Sequence, residues 1–96
     1  MSHGDLDPVI HPVKRLAAMA ILANAHSAEF TYLREKLDIS DSDLSKQMKA
    51  LADAGYVATK KTGIGRGGAT IFTITDAGRS AYSAYVQRLR VLLTGT

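Results

Sequence analysis

Residues 37–57 read LDISDSDLSKQMKALADAGYV and predict a short helix with a defined start and a defined end. Ser40 suits the N-cap position, and Asp43 three residues later completes a variant of the capping box. Gly55 is expected to end the helix in the left-handed conformation. Apolar residues recur at helical spacing between these ends and predict a buried stripe of Leu44, Met48 and Leu51.

The opposite face of this predicted helix is polar and basic, and it consists of Ser42, Ser45, Lys46 and Lys49. Reading duplex DNA requires an element that fits the major groove, with short polar side chains near the base edges and cations near the phosphates. The two serines lie in the N-terminal half, which in a recognition helix meets the bases. We therefore assign the serines to bases and the lysines to phosphates. A solvated helix face often carries the same residue types, so this assignment depends on the neighbouring elements.

The residues after this helix change to the pattern of a β-hairpin. Two stretches, Tyr56–Lys61 and Thr70–Thr75, are rich in β-branched and aromatic residues, and a glycine-rich loop over residues 62–69 connects them. The cations that the hairpin adds beside the polar helix face are Lys60, Lys61 and Arg66. The position of Arg66 between two glycines favours contact with a narrow minor groove, where the potential of DNA is most negative. The alternative for Arg66 is a charge that solubilises a turn.

Helical spacing of apolar residues predicts three further helices. The first extends over residues 12–25, the second ends near Leu37 with Thr31 as its N-cap, and the last starts at Thr75 and ends near Leu93. The order helix, helix, helix, hairpin, helix defines a mainly α fold with a small β-hairpin (α+β), arranged α-α-α-β-β-α. This arrangement is typical of a winged helix-turn-helix domain.

The first predicted helix is apolar nearly all round, and its only charges are Lys14 and Arg15. Such a helix is buried on more than one side, and in so small a domain the second side is expected to face another subunit. We therefore expect a homodimer in which the first and last helices pair through Ile10, Leu16, Met19, Tyr85, Leu89 and Leu92. The alternative is that these residues belong to the core of one monomer.

Two stretches of the chain resemble MarR-type and ArsR-type bacterial regulators. Residues 37–57 are similar to the turn and recognition helix of those proteins, and residues 73–79, which read TITDAGR, are similar to the segment that follows their wing. The resemblance implies a winged helix DNA-binding domain over residues 9–93, with residues 1–8 as a flexible N-terminal segment. Asp43 and Gln47 stand where many relatives carry Asn, Arg or His, so no base specificity is carried over.

The composition excludes several classes of function. The 96 residues include no cysteine, which removes disulfides and thiol chemistry, and the three histidines, His3, His11 and His26, lack metal-ligand spacing. Residues 63–68 match the dinucleotide-binding pattern GxGxxG, but a strand follows where a helix is required. We therefore expect no enzyme, no metal and no cofactor. No apolar run is long enough to cross a bilayer, and we expect a cytoplasmic protein.

The net charge of +3 suits a polyanionic partner. We expect a sequence-specific regulator that binds double-stranded DNA, acting as a dimeric repressor at an inverted-repeat operator. The alternative is a winged-helix module for protein–protein interaction, because a fold does not determine a function. The sequence is compatible with a small-molecule effector, because its four tyrosines could line a pocket. Core packing is the alternative role for these residues, Tyr32, Tyr56, Tyr82 and Tyr85.

Overall fold

The computed structural model describes residues 6–63 and 68–96. Within these ranges the chain forms four helices and three strands, namely α1 Val13–Ala25, β1 Ser27–Glu29, α2 Phe30–Leu37, α3 Asp41–Asp53, β2 Val57–Thr62, β3 Ala69–Ile74 and α4 Asp76–Thr94. The four predicted helices and the predicted hairpin are all present. The mainly α winged-helix architecture is therefore confirmed, with one additional strand.

The additional strand, β1, follows α1 directly, where the sequence predicted only a break between two helices. It pairs antiparallel with β3 and gives the sheet order β1-β3-β2, with Ala28 opposite Phe72. Because β1 runs directly into α2, that helix starts at Phe30 with Glu29 as its N-cap. The predicted N-cap, Thr31, instead lies inside the first turn. A strand of three residues is too short to show alternation, and pairing with β3 stabilises it.

The predicted N-cap of α3, Ser40, is confirmed by a hydrogen bond, whereas the Asp43 side chain bonds to Lys14 and Gln47 and not to the Ser40 N–H of a capping box. Thr75, the predicted start of the last helix, is the N-cap of α4. The Ser40 hydroxyl accepts from the Asp43 backbone N–H at 3.1 Å, and the Thr75 hydroxyl accepts from the Gly78 N–H at 2.9 Å. Gly55 follows α3 with a φ of 81°, a left-handed conformation that glycine adopts without strain. Ser40 and Gly55 therefore set where α3 starts and ends.

One hydrophobic core lies between the helices and the inner face of the sheet. The predicted stripe of α3 contributes Leu44, Met48 and Leu51, which are at most 1% exposed. The other large core side chains from helices and strands are Met19, Leu22, Leu33, Val57, Phe72, Ile74 and Tyr85. Burial of one face of α3 directs its opposite, polar face to solvent.

The chain before α1 packs on the domain from residue 6 onward. Leu6 is only 5% exposed, and the Asp7 carboxylate accepts hydrogen bonds from the Val9 N–H and the Tyr56 hydroxyl. Residues 6 and 7 of the N-terminal segment predicted over residues 1–8 therefore contact the domain, and residues 1–5 lie outside the described part of the chain. The reason is that Leu6 supplies an apolar side chain to the core.

The end of α3 is joined to the start of α4 at a tight junction. The Thr75 hydroxyl donates to the Gly55 carbonyl at 2.6 Å, and the Thr75 N–H donates to the Tyr56 carbonyl at 3.0 Å. A Cβ atom on Gly78 would lie 2.1 Å from the same Tyr56 oxygen. Glycine is required at this position because a backbone atom occupies the place of a side chain.

No helix in the described ranges is both long and apolar enough to cross a membrane.

Candidate nucleic-acid interface

The polar face of α3 is exposed along its whole length. Its exposed side chains include the four that the sequence assigns to DNA, Ser42, Ser45, Lys46 and Lys49. Helical periodicity separates them from the buried stripe, so the side chains lie on the surface opposite the core. The arrangement offers hydroxyl groups toward the helix start and ammonium groups toward its middle.

The helix start adds partial positive charge to this surface. The backbone N–H groups of a first turn have no intrahelical partner and carry the positive end of the helix dipole. The Ser40 hydroxyl caps the N–H of Asp43 and lies 3.3 Å from the Ser42 hydroxyl. An anion such as a phosphate is favoured at such a helix end.

Two carboxylates in the first turn of α3 are paired with cations from other helices. Asp41 accepts from the Arg34 guanidinium at 2.9 Å, and this hydrogen bond raises the pKa of Arg34. Asp43 is paired with the Lys14 ammonium of α1 and accepts from the Gln47 amide at 2.8 Å. These hydrogen bonds, that of Lys14 first, hold the pKa of Asp43 below its ordinary value.

The two positions that depart from the resembled family, Asp43 and Gln47, therefore contact each other. Lys14 completes this set as a residue that sequence reasoning did not assign to the interface. It belongs to α1, and no local pattern reveals a contact to a residue 29 positions away. The set ties the start of α3 to α1.

The two lysines on α3 differ in their surroundings. The Lys49 ammonium lies 2.8 Å from the carboxylate of Asp53, one turn further along the same helix. Lys46 is exposed and forms no ion pair with the residues that the structure describes. Lys46 therefore presents a charge without a directly bonded carboxylate, although Asp43 lies close enough to interact with it, whereas Lys49 presents a charge that Asp53 offsets by direct contact.

A groove of about 340 Å³ separates α3 from the hairpin. Ser45 and Lys49 line it from the helix, and Lys61 and Thr59 line it from β2. Its floor is apolar and includes Phe30, Met48 and Phe72. Two ammonium groups from different elements therefore face one cleft, which suits a strand with an anionic backbone.

The predicted hairpin cations do not all face this groove. Successive side chains of a strand point to opposite faces of a sheet, so Lys60, opposite Ile71 in the register, lies on the face away from Lys61. Arg66 lies outside the described residues. Sequence reasoning did not single out Thr59 and Thr70, whose alternation with Lys60 and Ile71 places them on the groove face.

The six side chains predicted to form a dimer interface divide into two groups. Ile10, Met19 and Tyr85 are at most 3% exposed and belong to the core of the monomer, so that part of the prediction is corrected. The physical reason is that these three side chains pack into one buried cluster, where the His11 ring nitrogen Nδ1 lies 2.7 Å from the Tyr85 hydroxyl. The half-buried remainder consists of Leu16, Leu89 and Leu92.

Other large apolar side chains are exposed on the same two helices. Val13 of α1 is 74% exposed, and Val86 and Leu93 of α4 are 42% and 76% exposed. Val86 and Leu93 continue a series with Tyr82 and Leu89 at alternating spacings of four, three and four residues. This spacing is that of a coiled-coil seam, so α4 carries an apolar stripe that its own domain covers only in part.

The four tyrosines lie in different surroundings. Tyr85 is buried beside His11, and Tyr56 donates to Asp7. Tyr32 is 48% exposed with the Lys36 ammonium 5.6 Å from its ring centre. Tyr82 lines an open groove between α1 and α4. No group of three or more metal-ligating side chains occurs within residues 6–63 and 68–96.

Comparison with known proteins gives matches over nearly the whole chain. A family model described as a winged helix DNA-binding domain matches residues 14–93. An uncharacterised protein of Methanocaldococcus jannaschii is 36% identical over 81 residues, which covers 84% of this chain and 88% of that protein. The residues that the family model matches include the hairpin and the candidate interface on α3.

Solved structures show the same fold. A transcriptional regulator homologue from Pyrococcus horikoshii OT3 superposes with a TM-score of 0.82 at 26% identity, covering 91% of this chain and 86% of that one. A zinc-responsive MarR family member from Lactococcus lactis superposes with a TM-score of 0.64 at 16% identity, covering 85% of this chain and 56% of that one. Solved MarR-family and ArsR-family regulators are among these structural neighbours, and together with the family model they confirm the winged-helix fold that the resemblance implied.

Proposed function

This chain belongs to the winged helix DNA-binding domain family, and from that membership we propose that it is a sequence-specific, duplex-DNA-binding transcriptional regulator. The observation that carries the proposal is the exposed polar face of α3 next to a groove lined by Lys49 and Lys61. A polar helix face with cations on two elements matches the requirements of major-groove reading and backbone contact.

In the proposed complex, α3 enters the major groove with its N-terminal half toward the bases. Ser42 and Ser45 hydrogen-bond to base edges, and Lys46 and Lys49 contact phosphates that flank the groove. The free N–H groups at the start of α3 hold a further phosphate. Asp43 and Gln47 are paired with each other, so Gln47 supports the helix position rather than reading a base.

The hairpin contributes the second part of the proposed interface. Lys61 faces the α3 groove and contacts the backbone strand that passes between helix and hairpin. Lys60 lies on the other face of the sheet and contacts a phosphate on the outer side of the wing. For Arg66 we propose insertion into the adjacent minor groove, where the negative potential is strongest.

We also propose that the protein is a homodimer and acts as a repressor. The half-buried Leu16, Leu89 and Leu92 supply part of the interface, and the exposed Val86 and Leu93 supply the surface that a partner covers. Two recognition helices related by a two-fold axis would reach successive major grooves about 34 Å apart. Such a dimer requires an inverted-repeat operator and blocks a promoter by occupying it.

The test is fluorescence anisotropy with a duplex from the region upstream of the gene and a scrambled duplex of equal length, over a salt series. The expected result is tighter binding to the upstream duplex, with affinity falling steeply as salt rises because counterions are released from phosphates. Equal affinity for both duplexes would contradict sequence specificity for this region. Absence of binding to either duplex at low salt would favour the protein-interaction module.

A further inference from the structure

A carboxylate stands at the edge of the proposed DNA surface, beside a cation assigned to phosphate. Asp53 is the last residue of α3, and its Oδ2 lies 2.8 Å from the Nζ of Lys49. Both side chains are largely exposed, at 65% and 75%. Lys49 also lines the groove between α3 and the hairpin. The ammonium group that faces this groove is therefore already paired within the protein.

The stability of α3 does not account for Asp53. The C-terminal end of a helix carries partial negative charge, so a carboxylate is unfavourable there, whereas Asp41 and Asp43 lie in the first turn, where carboxylates are favoured. An acid placed four residues after a lysine is also the weaker orientation of a helical pair. An exposed pair of this kind contributes little to stability.

We propose that Asp53 competes with DNA phosphate for Lys49 and so limits the affinity of each recognition helix for duplex DNA. The inference rests on the proposed function of α3. When Lys49 contacts a phosphate, Asp53 either loses its partner or shares the ammonium group, and in both cases its carboxylate stands beside a polyanion. The pair consequently adds no net charge to the interface. Binding of one half-site stays weak, and stable binding requires both half-sites of a dimer.

The experiment measures duplex affinity over a salt series for the wild type, Asp53→Asn, Lys49→Gln and the double variant. Asp53→Asn is expected to bind about fivefold more tightly at low salt, the factor that corresponds to one unit-charge contact in water. The slope of log affinity against log salt is expected to steepen by about 0.9, the value for one additional phosphate contact. In the Lys49→Gln background, Asp53→Asn is expected to leave the slope unchanged.

Two controls separate this effect from net charge and from folding. Glu35→Gln on α2 removes one negative charge from another exposed position, and it is expected to leave the slope unchanged. Thermal unfolding by circular dichroism is expected to give similar midpoints for all variants, since the lost pair and the relieved dipole repulsion offset each other. An equal gain from Asp53→Asn with and without Lys49, or from Glu35→Gln, would overturn the proposal.

Different results contradict the proposed DNA binding and the proposed role of Asp53. A wild type that binds no duplex contradicts the proposed function. A wild type that binds duplex, together with an Asp53→Asn variant of unchanged affinity and slope, contradicts only the role of Asp53.

Discussion

At the scale of single residues, Asp43 links the recognition helix to the rest of the domain. Its carboxylate pairs with Lys14 from α1 and accepts from Gln47 one turn further along α3. These contacts favour the ionised form and hold the pKa of Asp43 below the ordinary 3.8. A carboxyl group whose pKa is lowered by folding stabilises the folded state above that ordinary value, and the contribution is lost as the pH falls through the lowered pKa.

We therefore predict that Asp43→Asn lowers stability at neutral pH and not in acid. The urea midpoint of the wild type should exceed that of the variant at pH 7, and the gap should close as the pH falls below about 4. Urea unfolding of both proteins at a series of pH values measures the gap. Lys14→Gln removes the first of the two partners and should reduce this pH dependence, while the Gln47 hydrogen bond remains. A gap that stays constant down to pH 2 would contradict the pairing.

Lys46 is the lysine of α3 that forms no ion pair within the described residues, so no carboxylate has to be displaced directly when it contacts a phosphate. Lys46→Gln is expected to lower affinity for every duplex by roughly an order of magnitude at 0.1 M salt and to reduce the salt slope by about one. Anisotropy over a salt series measures both quantities. The matched control is Lys36→Gln on α2, where the ammonium lies over the Tyr32 ring. An unchanged slope for Lys46→Gln would argue against the phosphate role.

At the scale of elements, the caps of α3 and α4 differ in what they hold together. Ser40 caps its own helix, whereas the Thr75 hydroxyl caps α4 and also donates to the Gly55 carbonyl after α3. We predict that Ser40→Ala costs about 1 kcal/mol and Thr75→Ala about 2 kcal/mol of unfolding free energy.

Urea denaturation of both variants measures this difference. Thr75→Ser keeps the hydroxyl and should recover most of the loss. Equal losses for Ser40→Ala and Thr75→Ala would show that the bond to Gly55 adds nothing.

Gly78 sits where α4 meets the turn after α3, and a methyl group there would overlap the Tyr56 carbonyl. Gly78→Ala is expected to cost about 3 kcal/mol because backbone atoms must move, which lowers the thermal midpoint by more than about 10 °C in a domain of this size. Ser80→Ala, at an exposed position of the same helix, should change the midpoint by no more than about 2 °C. Thermal unfolding by circular dichroism measures both, and a small effect at Gly78 would refute the close approach.

The elements that the sequence predicted are those whose signals are local. The signals for helix ends, Ser40, Thr75 and the left-handed Gly55, lie within one turn of the helix that each of them starts or ends. The helix ends could therefore be predicted from the spacing of these residues. Strand β1 could not be predicted, because its three residues form a strand only by pairing with β3, the second strand of the hairpin. The pair of Lys14 with Asp43 was missed for the same reason.

At the scale of the whole molecule, the apolar stripe of α4 is the surface on which assembly depends. The dimer prediction named Ile10, Met19 and Tyr85, which the monomer uses for its own core. Helical periodicity identifies an apolar face but does not say which neighbour covers it. Here His11 contacts α4 at Tyr85, and Val86 and Leu93 stay exposed.

We predict that the wild type sediments as a dimer and that the double variant Val86→Asp, Leu93→Asp sediments as a monomer. Both positions are exposed, so the helical circular dichroism spectrum should not change. Charges inside the seam would remain unpaired and desolvated on association, which disfavours it strongly. Ala84→Asp, at an exposed position elsewhere on α4, is the control and should stay dimeric. Analytical ultracentrifugation measures all three, and a monomeric wild type would refute the dimer.

The pairing of β1 with β3 has a consequence for how the chain is made. Ser27 and its neighbours pair with residues roughly 45 positions further along, so β1 leaves the ribosome well before its partner is synthesised. Helices form from local contacts and form quickly, whereas closing so long a loop is slow. The first three helices are therefore expected to assemble around an incomplete sheet, which residues 69–74 complete, and α4 adds Tyr85 to the core last.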